Sequence, residues 1–430
     1  MPPILEILTL TLQSIAMAVF NLPFIMVVFI IYTLYQRHQD LRKQIPLYRR
    51  RNIGNQMIDS ILQGILMGIG GSFLFTIIGI PIRLTPYLLF LLPIAFLLAL
   101  FNVRYLCFSY ATAILGILGF LFQGQEILGY TLPDLQVDIS GLIALVAIMH
   151  LMEATLIFFS GSQDFIPVII KQKGKLAVGF SMQKYWPIPL SLLIVFAGSP
   201  TGEGILMPTW WPIMKDSLAL DPKMIIYSLL PLTAALGYGD IAVSIPPERK
   251  ARQSAIGLFI YSGLLLIIAV FSNQYMWLQL FGIFLMPFFH EWIVKIYRSK
   301  ELNTDPLYPI PKKGVRILDL ISEGPGEKMG MHSGDIICKV NGIDVIHFQQ
   351  LQAILKQYYT FLWIELIRGE TQEKVTLEYR AYPYGINDLG IIPLLENQKV
   401  TYHMESMKEI GILDIFKQQW KKKKQKKRDF

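Results

Sequence analysis

Three stretches of the chain hold residues whose types and spacing could do chemistry in an apolar surround. The first is "LTAALGYGDIAVSIPPERKARQ" at 232–253. Its Gly-Tyr-Gly-Asp matches the end of a potassium-channel filter, and its Gly-x-Gly-Asp matches a catalytic aspartate of one class of intramembrane protease. A filter needs stacked carbonyls with a threonine hydroxyl below them, and the threonine position here is Ala235. An aspartyl protease needs two carboxylates that share a proton. Asp59 is the candidate partner for Asp240, yet "NQMIDSILQG" does not resemble the surroundings of a second catalytic aspartate. The plainer expectation is that Gly237 and Gly239 break a span and leave Asp240 to cap the next segment.

The second stretch, "FFHEWIVKIY", offers His290 and Glu291. A zinc metalloprotease of the His-Glu-x-x-His type needs a second imidazole one turn on, and position 294 is Val. The third, "AIMHLMEATL", places His150 and Glu153 three apart, on one helix face. Ionisable groups inside a membrane are candidates for function, and they also satisfy one another or brace a bundle. His150, Glu153 and Asp240 are therefore the intramembrane polar candidates. No catalytic set, metal set or cofactor is expected.

These residues sit in long apolar runs. The chain has 430 residues, 53% hydrophobic and 16% charged, with mean hydropathy +0.45. Runs near 14–35, 57–80, 86–101, 105–122, 139–160, 187–199, 224–238, 255–271 and 275–296 approach the roughly 20 residues that cross a bilayer. The shortest two, 187–199 and 224–238, suit broken or re-entrant segments. The expected fold is a mainly α polytopic bundle of eight or nine spans over residues 1–297. "MPPILEILTLTL" lacks a basic start and carries Glu6, which suits an uncleaved first span rather than a signal peptide.

Lys and Arg collect on the cytoplasmic side of a bilayer. With the N-terminus outside, the inner connections hold fourteen Lys/Arg and the outer ones three, Arg83, Lys215 and Lys223. This orientation puts "PPERKAR" and everything after residue 297 in the cytoplasm. A filter ending at Asp240 would then face the wrong side. The net charge of +8 is concentrated in "KKKKQKKRDF", so the body of the protein has no nucleic-acid footprint. Cys107 and Cys338 lie in different regions and suggest no disulfide framework.

Beyond a linker at 298–312, residues 314–346 read "GVRILDLISEGPGEKMGMHSGDIICKVNGIDVI". An alternating strand (Val315, Ile317, Leu318, Leu320) meets a Gly/Pro turn and a short helix. Gly334-Asp335 then opens a strand that Asn341-Gly342 ends in a tight turn. The segment resembles a bacterial-type PDZ domain, expected over 313–396 as an α+β module. "HFQQLQAILKQ" fits its groove helix, and "FLWIELIRG" with "EKVTLEYR" fit two strands. Such domains hold a peptide's C-terminal carboxylate on backbone N–H groups of a hydrophobic-Gly-hydrophobic loop. That loop is missing before Gly314 and occurs later, in "NDLGIIPL". A circularly permuted order is inferred, with Leu389, Gly390 and Ile391 as carboxylate loop and Phe348, Gln352 and Leu355 facing the groove. C-terminal or extended peptides are the expected ligands.

Between residues 404 and 430, Ile410, Leu413, Phe416 and Trp420 share one helical face ahead of the basic tail. Residues 421–430 suit anionic lipid, at about 1 kcal/mol per nearby Lys or Arg, or serve as a solubilising tail. The whole arrangement resembles the MinJ family of division-site proteins from Gram-positive rods. The likeness rests on "LYRRRNIGNQMIDSILQGILMGIGGS", "ALGYGDIAVSIPPERKARQSAIGLFIYS", "PFFHEWIV" and the PDZ segment ending "DLGII". It implies a non-enzymatic membrane scaffold at septum and poles, with DivIVA-like and MinD-like partners.

Overall fold

A computed structural model of the protein describes residues 3–42, 52–122, 126–127, 130–131, 137–172, 175–198, 204–205, 207–214, 225–321, 323–369, 371–394 and 402–403. The expected amphipathic segment and basic tail at 404–430 lie outside the described residues. Helices α1 (Pro3–Phe20) and α2 (Leu22–Arg42) meet at a 58° bend. Helix α3 (Ile53–Ile78) starts under Asn52, whose side chain accepts the Gly54 N–H, and ends at Gly79 in the left-handed region. A short strand β1 (Ile82–Arg83) precedes the compact apolar helices α4 (Leu91–Phe101) and α5 (Phe108–Leu121). After the small pair β2 (Glu126–Ile127) and β3 (Tyr130–Thr131) comes α6 (Ile139–Ser160). Asp138 caps α6 by accepting the Gly141 N–H at 2.9 Å.

Strands β4 (Ile166–Gln172), β5 (Lys175–Ala197) and β6 (Ile225–Ala242) follow, then α7 (Pro247–Ser272) and α8 (Met276–Asn303). Among the described residues, α3, α6, α7 and α8 are long and apolar enough to cross a membrane, and the bent α1–α2 pair makes a fifth candidate. Several long apolar helices thus mark a membrane protein. The expected spans at 187–199 and 224–238 are neither helical nor re-entrant helices. They belong to β5 and β6, paired antiparallel from Phe180↔Ala242 to Ala197↔Ile225. Apolar runs this short do not separate a buried strand from a helix by composition. Pro187 and Pro189, two residues apart, are the local sign against a helix.

The outer edge of β5 shows how so long a strand survives in an apolar core. In an antiparallel strand the N–H and C=O of one residue point to the same side. Residues 185, 187, 189 and 191 therefore turn their polar groups away from β6. Tyr185 donates its N–H to Tyr35 Oη (3.1 Å) and accepts from the same hydroxyl (3.2 Å). Pro187 and Pro189 have no N–H to satisfy. Their carbonyls lie against Gly64 and Gly68 of α3, where any Cβ would collide with the oxygens. Ser191 donates to Ser72 Oγ at 2.8 Å. Four helical residues rise about 6 Å and two strand residues about 6.6 Å, so Gly64, Gly68 and Ser72 keep step with 187, 189 and 191. Beyond them, β1 pairs with β5 at Ile82↔Ile194, and on the other side β4 pairs with it from Ile166↔Ser181.

The stretch expected as a linker, 298–312, starts inside α8, and its strand β7 (Tyr308–Pro309) pairs with β5. The C-terminal module contains β8 (Val315–Leu320), α9 (Pro325–Lys328), β9 (Ile336–Val340), β10 (Ile343–Asp344), α10 (Phe348–Leu355), β11 (Phe361–Ile367), β12 (Lys374–Arg380) and β13 (Ile391–Pro393). Its main sheet runs β12-β11-β9-β8-β13. Buried Asp335 accepts from His332 N, Gly369 N and Arg368 Nη1 (2.7 Å). Asn341 and Gly342 both take positive φ, as a tight hairpin turn demands. A last strand, β14 (Tyr402–His403), lies parallel beside β4.

Gly68→Val drives a side chain into the Pro189 carbonyl and should lower stability by about 1–3 kcal/mol. Gly70→Ala, two residues on and facing open space, should be neutral or stabilising by up to about 1 kcal/mol. Thermal unfolding of the detergent-purified chain compares the two.

Candidate functional site

The polar residues of α6 lie in the middle of the bundle. His150 donates Nδ1–H to the Val146 carbonyl (2.8 Å), which leaves Nε2 with its lone pair, 3.2 Å from Cys107 Sγ. Cys107 occupies the cap position before α5, after a single 3-10 turn (Val103–Leu106) that Asn102 caps through the Arg104 N–H. Ser109 Oγ lies 3.5 Å from the same His150 nitrogen and 2.9 Å from Tyr261 Oη, whose proton goes to the Met286 carbonyl (3.0 Å). His290, on α8, stands with its ring centre 5.6 Å from that of His150. The Cys107 sulfur and one nitrogen from each of His150 and His290 all lie within 4.8 Å of one another.

A charged shell anchors His290. Tyr110 Oη is 3.2 Å from His290 Nδ1 and donates to Glu291 Oε2 at 3.1 Å. Arg104 Nη1 bonds both Glu291 oxygens at 3.1 Å. Glu291 is thus committed to an arginine instead of standing free as a general base. Of the polar residues singled out from sequence, the fold brings His150 and His290 together and keeps Asp240 elsewhere. Cys107, Tyr110 and Tyr261 were missed, because only the crossing of α5, α6, α7 and α8 unites them.

The Gly-Tyr-Gly-Asp stretch has a structural job. Gly237 and Gly239 do not break a helix but lie within β6, opposite Tyr185 and Gln183. Asp240 does not cap α7, whose N-cap position is Pro246, with no side-chain cap. It faces Lys250 instead, with Nζ at 3.6 Å, and Lys250 also reaches Glu301 at 3.4 Å. Glu301 accepts further from Val243 N, Ser244 N and Ser244 Oγ, at 3.2, 2.8 and 2.9 Å. Lys250 lies buried over the Tyr297 ring. This buried cation ties β6, α7 and α8 at one point.

In the PDZ-like module, α10 packs Leu351, Ile354 and Leu355 into the core. Leu355 shares the buried face with Leu351, since i and i+4 lie on one side of a helix. Phe348 extends that face half-buried, and Gln352 falls on the exposed side. Leu389, Gly390 and Ile391 are buried. Gly390 has φ +66° and donates its N–H to Asp388 Oδ1 at 3.0 Å. Strand β13 is covered on both faces: Ile391 joins the module's core and Ile392 the core of the bundle. Outside the bundle, burial pushes the Cys338 thiol above its ordinary range.

Removing one member of a buried charge cluster costs more than removing an exposed one. Glu301→Ala should cost about 3–5 kcal/mol, by leaving buried Lys250 only Asp240 and by orphaning the donors of Val243 and Ser244, whereas Asp240→Ala, at a partly exposed carboxylate, should cost about 1 kcal/mol or less. Replacing the cluster together (Asp240→Asn, Lys250→Met, Glu301→Gln) should recover most of the loss. Thermal melts of the three chains in detergent give the comparison.

Against known families, the model of a PDZ domain matches residues 316–357. Along its length the chain is similar to the cell division topological determinant MinJ of Bacillus subtilis (strain 168). The two are 21% identical over 378 residues, which span 85% of this chain and 90% of that protein. The chain is a MinJ-like protein with a C-terminal PDZ domain.

Proposed function

We propose that the protein is a membrane scaffold for division-site selection, whose work is binding rather than catalysis. The observation that carries this is the similarity to a division topological determinant across most of both chains, with the PDZ module included. The interior agrees with it: Asp240 and Glu291 are tied to cations.

The bundle holds the chain in the membrane with its N-terminus outside, and the PDZ module works in the cytoplasm. Lys184, Lys250 and Arg104 are neutralised inside the fold by Asp164, by Asp240 with Glu301, and by Glu291. With those three set aside, eleven Lys/Arg still lie on the inner connections against three on the outer. DivIVA-like and MinD-like proteins are the proposed partners. A circularly permuted PDZ order is proposed as well, with peptide capture at Leu389, Gly390 and Ile391 and with Phe348 and Gln352 at the accessible rim. An incoming carboxylate must displace that of Asp388 from the Gly390 N–H.

A fluorescent fusion of the full chain should gather at septa and poles, and deletion should misplace septa. Asp335→Ala removes the acceptor of three hydrogen bonds in the PDZ module and should abolish capture of the division partners while leaving the chain in the membrane. An even peripheral signal, with septa unmoved after deletion, would refute the proposal.

A further inference from the structure

We infer that Cys107, His150 and His290 form a binding site for one thiophilic divalent ion, zinc by its ligand chemistry. Thiolate sulfur and imidazole nitrogen are both zinc ligands, and zinc takes four ligands in tetrahedral geometry. Around such an ion the donor atoms stand roughly 3.3–3.7 Å apart, from metal–ligand bonds of about 2.0–2.3 Å. The Cys107 Sγ to His150 Nε2 distance is 3.2 Å, and all three donors fall within 4.8 Å. Side-chain adjustments of up to about 1 Å bring the three donors to the separations an ion requires.

The surroundings are those of a ligand site. A metal-bound histidine gives its other N–H to a carbonyl or carboxylate, which fixes the tautomer and the ring plane. His150 does this through Val146, and the nitrogen left with a lone pair is the one that meets the sulfur. His290 is steadied through Tyr110 and the Arg104–Glu291 pair. Three protein ligands leave a fourth position to water or another small ligand. An ion held there joins the start of α5 to α6 and α8, three elements that meet in the centre of the bundle. On binding, the Cys107 thiol loses its proton to solvent and the sulfur bonds to the metal as thiolate. No electron is transferred.

Full-length protein without a polyhistidine tag, produced with zinc supplied and purified in detergent, should carry about one zinc per chain by mass spectrometry. After chelation, Co2+ should restore tetrahedral visible bands and a thiolate-to-cobalt band in the near ultraviolet. Cys107→Ser should remove the near-ultraviolet band, and His290→Ala should weaken cobalt binding at least about tenfold. Cys338→Ser should change neither. Gel filtration confirms that each variant is folded, and zinc should raise the melting temperature of the wild-type chain but not of Cys107→Ser. Less than a tenth of an equivalent of zinc, or a cobalt band that survives Cys107→Ser, would overturn the site. So would Cys107 alkylation by iodoacetamide that zinc does not slow, since it would make the group a reactive thiol–imidazole pair instead.

Discussion

The structure depends on the closing of one strand edge in an apolar interior. An unpaired backbone group away from water costs several kcal/mol in hydrocarbon, and β5 is long enough to expose many. Along this edge its N–H groups escape the penalty by four means in sequence: pairing with β4, the Tyr35 hydroxyl, two prolines set against glycines, and the Ser72 hydroxyl, before β1 takes over. The glycines fill no space because space is what they must leave. The prolines that would wreck a helix are harmless here, since each stands where an N–H would have had no acceptor. Helix α3 and strand β5 are therefore matched along their length, and α1 and α2 pack around the pair.

Much of the C-terminal module was legible in the sequence because its motif consists of backbone requirements. Gly334 and Gly342 take positive φ, Asn341 turns the hairpin, and Asp335 gathers donors from two loops. Each demand is local and leaves a residue type behind. The long apolar helices α3, α6, α7 and α8 were legible for the same reason, through length and hydropathy. Strand β5 was not, because its burial on both faces erases the alternation that marks a strand, and β6 was not, because its exposed positions, Leu232, Ala235, Gly237 and Gly239, carry no polar side chain to mark the alternation. The Cys107, His150 and His290 cluster was invisible for a different reason. Its members come from three elements, and nothing in the sequence near any one of them refers to the other two.

Charge inside the bundle follows a single rule. Lys184 meets Asp164 at 2.8 Å, Arg104 meets Glu291, and Lys250 meets Asp240 and Glu301. The Arg104–Glu291 and Lys250–Glu301 pairs join segments distant in sequence, while Lys184–Asp164 and Lys250–Asp240 tie neighbouring elements. Because paired burial barely repays desolvation, their value lies in geometry more than in net stability. Gly-Tyr-Gly-Asp acquires its sense here. Gly237 leaves room for the Tyr185 ring, Tyr238 reaches toward Asp240 and Ser254, and the aspartate faces the lysine of "PPERKAR".

The same physics decides how the PDZ module sits. A change of composition near residue 299 suggests a tethered appendage, but α8 runs on to Asn303 and the chain turns at once into the bundle's own sheet. The Tyr308 ring packs edge-on to Phe180 of β5, and on its module side it meets Gly334 and the Arg316 guanidinium. A side chain at 334 would evict that ring. Leu318, Ile392 and Leu394 then share the bundle's core while Ile317 and Ile391 belong to the module's. Strands β8 and β13 thus have one face in each body. Any ligand that parts or shifts β13 must disturb contacts on the bundle side as well, so occupancy of the module and packing of the membrane domain are linked through two strands and one tyrosine.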